Sequence, residues 1–186
     1  EIGMLDGKIR KNELQDPLGK QYWPLPIGRD PARTPMQWSA GPNAGFSNAK
    51  PWLPVQEDFA SMNVAHAERD EGSLLHWYRR LIRIRRAEPA LHRGSYRRLD
   101  QGAGVLGFVR EHEGERVAVL LNFESRPRRA ALPTSATWRV LAASAHRPGE
   151  RIAGGTLQLE ADGVLIAKAA APQARTLGSE GRARGV

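Results

Sequence analysis

The sequence predicts two structural parts, an irregular segment that ends in one amphipathic helix and an all-β domain that follows it. Residues 1–72 carry prolines at positions 17, 24, 26, 31, 35, 42, 51 and 54 with glycines between them, so regular elements there can be only short. Residues 73–87 place apolar side chains at helical spacing. After Gly94, short apolar runs alternate with turn signals, which is typical of an antiparallel β-sandwich.

The predicted helix runs from Ser73, a suitable N-cap residue, to Ala87, and Glu88-Pro89 ends it. Five apolar side chains share one face: Leu74, Leu75, Tyr78, Leu81 and Ile82. Arginines occupy the opposite face: Arg79, Arg80, Arg83 and Arg86. We interpret the arginine face as solvated surface, with a partner site as the alternative.

Seven strands are predicted in the β-domain, which we place at residues 94–172. They are residues 96–99, 105–111, 117–123, 129–132, 138–142, 156–159 and 164–169. Residues 173–186 are rich in Arg, Gly and Ala without periodicity, and we expect a disordered tail there.

Composition excludes several classes of protein. The chain has 186 residues, 40% of them hydrophobic, which suits one ordinary domain or one and a half small ones. The net charge is +8, but 20 acidic residues are interspersed with the arginines, so we expect no nucleic-acid partner. No apolar run approaches the roughly 20 residues that span a membrane, so we expect no membrane partner.

Metal and cofactor sites are not predicted. The chain has no cysteine, and its 5 histidines are spread without ligand spacing. No glycine-rich phosphate loop and no nucleophile-elbow pattern occurs. The lack of cysteine favours a cytoplasmic location.

The most informative segment is Gly28–Trp38, where Arg29 and Arg33 stand four apart around Asp30 in a proline-containing loop. Guanidinium groups are rigid multiple donors for hydroxyls and carboxylates, and Asp30 can accept from an arginine or from a ligand hydroxyl. The segment therefore suits the wall of a polar, sugar-sized pocket. A structural ion pair in a surface loop is the alternative.

A series of motifs follows in one order along the chain: Glu1-Ile2-Gly3-Met4, Gln15-Asp16-Pro17-Leu18-Gly19, Trp23-Pro24, the arginine loop, Ala44-Gly45-Phe46-Ser47, Pro51-Trp52-Leu53-Pro54, Tyr78-Arg79-Arg80-Leu81-Ile82 and Glu88-Pro89-Ala90-Leu91. This order resembles an α-glucosidase of the α-amylase superfamily, glycoside hydrolase family 13. The resemblance covers nearly all of residues 1–172, more loosely in the last third.

The resemblance implies that residues 1–93 are the end of a (β/α)8 TIM barrel, namely the loop after strand 8 and helix 8. The apolar stripe of that helix would pack on barrel strands. It also implies that the aspartate nucleophile and the glutamate acid/base of a retaining glycosidase, roughly 5 Å apart, lie before residue 1. The chain alone is then expected to be inactive, with the N-terminal barrel portion as its missing partner.

The intact enzyme would hydrolyse short α-linked gluco-oligosaccharides or transfer their glucose, without a cofactor. A trehalose synthase-like parent enzyme, a noncatalytic β-domain and an inactive relative are the alternatives.

Four substrate-binding residues are predicted by the resemblance: Arg29, Asp30, Arg33 and Trp23. Arg29 matches the arginine that hydrogen-bonds the nonreducing-end glucose, and Asp30 would orient it. Arg33 would support the loop or contact the acceptor side. Trp23 would stack on an acceptor-side sugar or pack within its loop. No catalytic residue is predicted, and Trp38, Trp52 and Phe46 are assigned to packing.

Overall fold

The computed structural model describes residues 2–170 and divides the chain into two compact units between Arg83 and Ile84. The tail predicted at residues 173–186 lies outside the described residues. The domain boundary after residue 93 stays a prediction. Within residues 2–170, no helix is long and apolar enough to cross a membrane.

The first unit consists mostly of loops joined by short helices. It contains the 3-10 helices Lys11–Glu13, Asp30–Arg33 and Pro42–Gly45, and the α-helices α1 (Pro17–Tyr22) and α2 (Val64–Arg69). Asp16 caps α1 by accepting the Leu18 N–H at 2.9 Å, and Asn63 caps α2 by accepting the His66 N–H at 2.9 Å. A small apolar cluster of Ile9, Leu14 and Leu53 forms its buried centre.

Helix α3 (Leu74–Ala87) forms where the apolar periodicity predicted it, and the Ser73 Oγ accepts the His76 N–H at its start. None of its residues is buried. Leu74, Tyr78 and Ile82, which belong to the predicted apolar stripe, are each about half exposed. The stripe therefore gains little of the burial that normally stabilises an amphipathic helix.

The second unit is an antiparallel sheet preceded by the short helix α4 (Ala90–Arg93). Its strands are β1 (Ser95–Leu99), β2 (Val105–His112), β3 (Glu115–Asn122), β4 (Arg128–Ala143), β5 (Arg151–Leu159) and β6 (Val164–Ala169). Their order in the sheet is β1-β2-β3-β6-β4-β5, and every neighbouring pair is antiparallel.

The core of the second unit takes alternate side chains from β2 to β6, with fully buried Trp138, Leu120 and Leu165 among its largest members. Strand β4 also lies near β2 and β3, which are not its hydrogen-bonded neighbours. The sheet is therefore curved, so that its two halves enclose one apolar core.

Two details of the β-domain prediction are corrected by the structure. Residues 129–132 and 138–142 belong to one strand, β4, so there are six strands among the described residues rather than seven. Because β4 pairs with both β5 and β6, the strands form one curved sheet and not the two sheets of a sandwich.

Glycine in β5 explains why β4 continues across Pro133. The register between β4 and β5 shifts between Leu132 and Thr137. At this irregularity a Cβ atom on Gly154 would lie 2.1 Å from the Pro133 carbonyl oxygen, so only glycine fits there. The Trp138 indole N–H donates to the same oxygen at 3.0 Å, which further fixes the bulge.

An ion-pair network ties the segment after α3 to the sheet. The Lys168 Nζ lies 2.8 Å from the Glu88 Oε2 and 2.8 Å from the Glu115 Oε1. Burial alone would lower the pKa of Lys168, but the hydrogen bonds and charges of Glu115 and Glu88 outweigh it, and the net pKa is raised. Glu88 is buried, so Lys168 neutralises a carboxylate that would otherwise be costly there.

Candidate functional site

The predicted arginine loop is organised by the buried carboxylate of Asp30, whose side chain is only 2% exposed. Its Oδ2 accepts the backbone N–H of Gln15 and, at 2.8 Å, that of Asp16. Pro31 follows as an early residue of the 3-10 helix Asp30–Arg33, where its missing N–H costs nothing. Asp30 therefore fixes its loop to a segment that lies fourteen and fifteen positions earlier.

Asp16 completes the arrangement from the other side. Its Oδ2 accepts the backbone N–H of Arg29 at 3.0 Å, while its Oδ1 caps α1. The Arg29 hydrogen bond is the main reason that the pKa of Asp16 lies below its ordinary value. Asp16 thus binds the backbone N–H of the residue before Asp30, and Asp30 binds the backbone N–H groups of Asp16 and of the residue before it. We call this pair of carboxylates the carboxylate clamp.

A close approach of two glycines tightens the same loop. Gly28 has a φ of +123°, and a Cβ atom there would lie 3.1 Å from the Cα of Gly19. Side chains at these positions would push the two backbone segments apart. The clamp and the glycine contact together define the backbone on both sides of Arg29.

Arg29 and Arg33 are both exposed, and neither forms an ion pair with Asp30 within residues 2–170. The Asp30 carboxylate instead accepts backbone N–H groups. The structure therefore leaves both guanidinium groups out of the clamp.

Trp23 lines a cavity of about 310 Å³ in the first unit, together with Asp16 and Asp30. The remaining lining is largely apolar and includes Leu14, Leu25 and Ile27. Trp23 is partly exposed at this cavity, and its peptide bond to Pro24 is cis. An aromatic ring beside carboxylate oxygens offers both an apolar face and hydrogen-bond acceptors, which is the combination that a pyranose ring uses.

Three aromatic residues assigned to packing are exposed instead. Trp38 and Phe46 are about half exposed, and Trp52 is 72% exposed. Sequence reasoning placed them inside because large aromatic residues usually contribute to cores. The sequence does signal the start of α1, because Asp16 stands directly before Pro17 and is the N-cap residue of this helix.

The residues that the structure describes contain no group of three or more His, Asp or Glu side chains arranged to hold a metal ion.

Comparison with known proteins identifies the class to which this fold and site belong. A family model described as the catalytic domain of α-amylase matches residues 1–94. The chain belongs to the α-amylase family of glycoside hydrolases, family 13.

The relatives are glucosidases and glucosyl-transfer enzymes. The chain is 40% identical over 133 residues to a probable α-glucosidase of Rhizobium meliloti strain 1021, an alignment that covers 72% of this chain and 24% of the relative. It is 32% identical over 142 residues to probable oligo-1,6-glucosidase 3 of Bacillus subtilis strain 168, with 74% and 25% covered. The crystal structure of the α-glucosyl transfer enzyme XgtA superposes with a TM-score of 0.75 at 34% identity, covering 91% of this chain and 31% of that one.

The chain thus spans about a quarter of the length of these curated relatives. The structural similarity extends over most of the chain and includes the antiparallel sheet. The predicted relationship to α-glucosidases of the α-amylase superfamily is confirmed.

Proposed function

We propose that this chain is part of a retaining α-glucosidase that acts on short α-linked gluco-oligosaccharides. In this proposal the chain supplies one wall of the sugar pocket and the C-terminal β-domain, whereas the nucleophile and the acid/base belong to barrel strands that precede Glu1. Residues 1–93 are the last active-site loop and last helix of a (β/α)8 barrel, and residues 94–172 are the β-domain.

The observation that carries the proposal is the carboxylate clamp in a chain of the α-amylase family. Asp16 and Asp30 hold the backbone at Arg29 and Gln15, and the Arg29 side chain is left exposed. A guanidinium on a fixed backbone is suited to donate several hydrogen bonds to the hydroxyls of one glucose unit.

Arg29 would act mainly in the transition state. Charge-assisted hydrogen bonds to sugar hydroxyls strengthen as the ring distorts towards the oxocarbenium-like geometry of glycoside cleavage. Asp30 acts as a positioning residue through the backbone. Trp23, at the rim of the first cavity, offers an aromatic face for a second sugar. Arg33 supports the loop or contacts the sugar on the acceptor side.

The test is the variant Arg29→Ala in the longest product of the gene that encodes this chain, assayed with p-nitrophenyl α-D-glucoside. One charge-assisted hydrogen bond is worth about 1.5 to 3 kcal/mol, so kcat/KM should fall by about 10- to 100-fold. Thermal stability should change little, because the Arg29 side chain is exposed.

Arg79→Ala is the matched control. Arg79 is an exposed arginine of α3 that pairs with the half-exposed Glu68, an interaction worth less than about 1 kcal/mol. If kcat/KM is unchanged in the Arg29 variant, the proposal is contradicted. If the longest gene product does not hydrolyse the α-glucoside, a noncatalytic protein is favoured instead.

Transfer of glucose to an acceptor other than water is the second candidate, favoured by the similarity to an enzyme described as an α-glucosyl transfer enzyme. It uses the same covalent intermediate and differs in the acceptor. Product analysis with an α-glucoside donor and added sugar acceptors distinguishes it from hydrolysis.

A further inference from the structure

A second cavity in the first unit, of about 540 Å³, is not used by the proposed site. Glu13 and Gln15 line this cavity, whereas Leu14 and Asp16 line the first one. Because positions 13 and 15 line one cavity and positions 14 and 16 line the other, residues 13–16 form a partition between the two cavities. The volume of the second cavity lies in the range of about 300 to 1,000 Å³ that is typical of small-molecule sites.

Trp52 gives this cavity a fixed aromatic face. Its side chain is 72% exposed, although the next residue, Leu53, is completely buried in the apolar cluster with Ile9 and Leu14. Pro51 and Pro54 flank the pair and restrict the backbone. The indole is therefore held at the surface by a rigid segment, and it loses little conformational freedom when a ligand covers it.

The polar lining matches an uncharged ligand. Three amide side chains line the cavity and bring donor and acceptor groups to it: Asn12, Gln15 and Asn43. Among residues 2–170, the charged residues that line this cavity are Lys50 and Glu13, whose opposite charges balance. A phosphate or an ammonium ligand would find no excess of the opposite charge, whereas hydroxyl groups would find both donors and acceptors.

The amide of Asn43 is itself positioned. Its Nδ2 donates to the carbonyl oxygens of Ser47 at 2.9 Å and Ala49 at 3.1 Å. These bonds use its donors and leave the Oδ1 as an acceptor for a ligand hydroxyl. On the partition, the Gln15 N–H donates to the buried Asp30 carboxylate, so the clamp that fixes Arg29 also fixes one wall of this cavity.

We infer that the second cavity binds glucose units of an α-linked gluco-oligosaccharide, with the apolar face of one pyranose ring stacked on Trp52 and its hydroxyls bonded to Asn43, Gln15 and Lys50. This inference rests on the proposed function for the chemical class of the ligand. It adds a second sugar-binding site, separated by residues 13–16 from the cavity beside Asp30.

The first experiment is calorimetric titration of the 186-residue chain with isomaltotriose and with maltotriose. At least one trisaccharide should bind, and Trp52→Ala should weaken that binding by about ten-fold or more, as expected when a central aromatic contact is removed. Trp52→Phe should lose less, since a ring face remains. Trp38→Ala, which removes another exposed tryptophan outside this cavity, should leave binding unchanged.

The second experiment uses the longest gene product. Trp52→Ala should raise KM for a trisaccharide by about ten-fold and leave KM for p-nitrophenyl α-D-glucoside unchanged, because the shorter substrate does not reach the second cavity. Unchanged trisaccharide binding and KM in this variant overturn the inference while the proposed function stands. Failure of the wild-type protein to hydrolyse any α-glucoside overturns the proposed function instead.

Discussion

Removal of the Asp30 carboxylate should unlock the loop that carries Arg29. In Asp30→Ala, the backbone N–H groups of Gln15 and Asp16 lose their shared acceptor. Each such bond to a charged group contributes about 1.5 kcal/mol or more, so the local free energy of opening should fall by about 3 kcal/mol. Amide hydrogen exchange at Gln15 and Asp16 should accelerate by about 150-fold, since exchange reports local opening.

Amide hydrogen exchange followed by NMR measures the exchange rate at Gln15 and at Asp16 separately. Asp30→Asn, which keeps one carbonyl acceptor, should give an intermediate acceleration. Asp6→Ala, which removes an exposed carboxylate elsewhere in the first unit, should leave both rates unchanged. If the amide exchange rates at Gln15 and at Asp16 are the same in Asp30→Ala as in the wild type, the clamp is refuted.

Three further predictions concern stability and activity. Lys168→Ala should lower the free energy of unfolding of the second unit in urea by about 3 kcal/mol, because it leaves the carboxylate of Glu88 buried and unpaired. Glu115→Ala removes a half-exposed partner of Lys168 and should lower that free energy by less than about 1 kcal/mol. Because the pKa of Asp16 is lowered in the folded protein, the contribution of its carboxylate to stability is fully present above the ordinary pKa of 3.8 and is lost as pH falls through the lower folded-state pKa. Protection of the Arg29 amide from hydrogen exchange should therefore decrease in that acidic range. Protection that does not depend on pH there would contradict the hydrogen bond from Arg29 to Asp16. The 186-residue chain alone should not hydrolyse p-nitrophenyl α-D-glucoside, and turnover that depends on a carboxylate within residues 1–72 would show that the nucleophile has been misplaced.

Periodic elements were predictable because they depend on local pattern. The apolar spacing of residues 73–87 was enough to predict α3, and alternation after Gly94 located most strands. The continuity of β4 was not predictable from its own residues. Pro133 indicated a break, and the glycine that accommodates it, Gly154, lies in the next strand.

The candidate site was predictable in composition and not in connectivity. The sequence drew attention to Arg29, Asp30 and Arg33, and it left open whether Asp30 accepts hydrogen bonds from an arginine or from a ligand hydroxyl. The actual partners of Asp30 are backbone amides of Gln15 and Asp16, and no residue-type pattern reports a bond to a backbone N–H. The exposure of Trp52 was missed for a related reason, since exposure depends on which surfaces the rest of the fold covers.

The carboxylate clamp separates the backbone that is fixed from the segment that shapes the first cavity. Residues 17–28 form a loop whose two ends are fastened by the hydrogen bond between Asp16 and the Arg29 N–H and by the contact of Gly19 with Gly28. The tip of that loop, residues 23–27, supplies much of the lining of the first cavity. Substitutions confined to the tip would therefore change the shape of the first cavity without moving the backbone at Arg29.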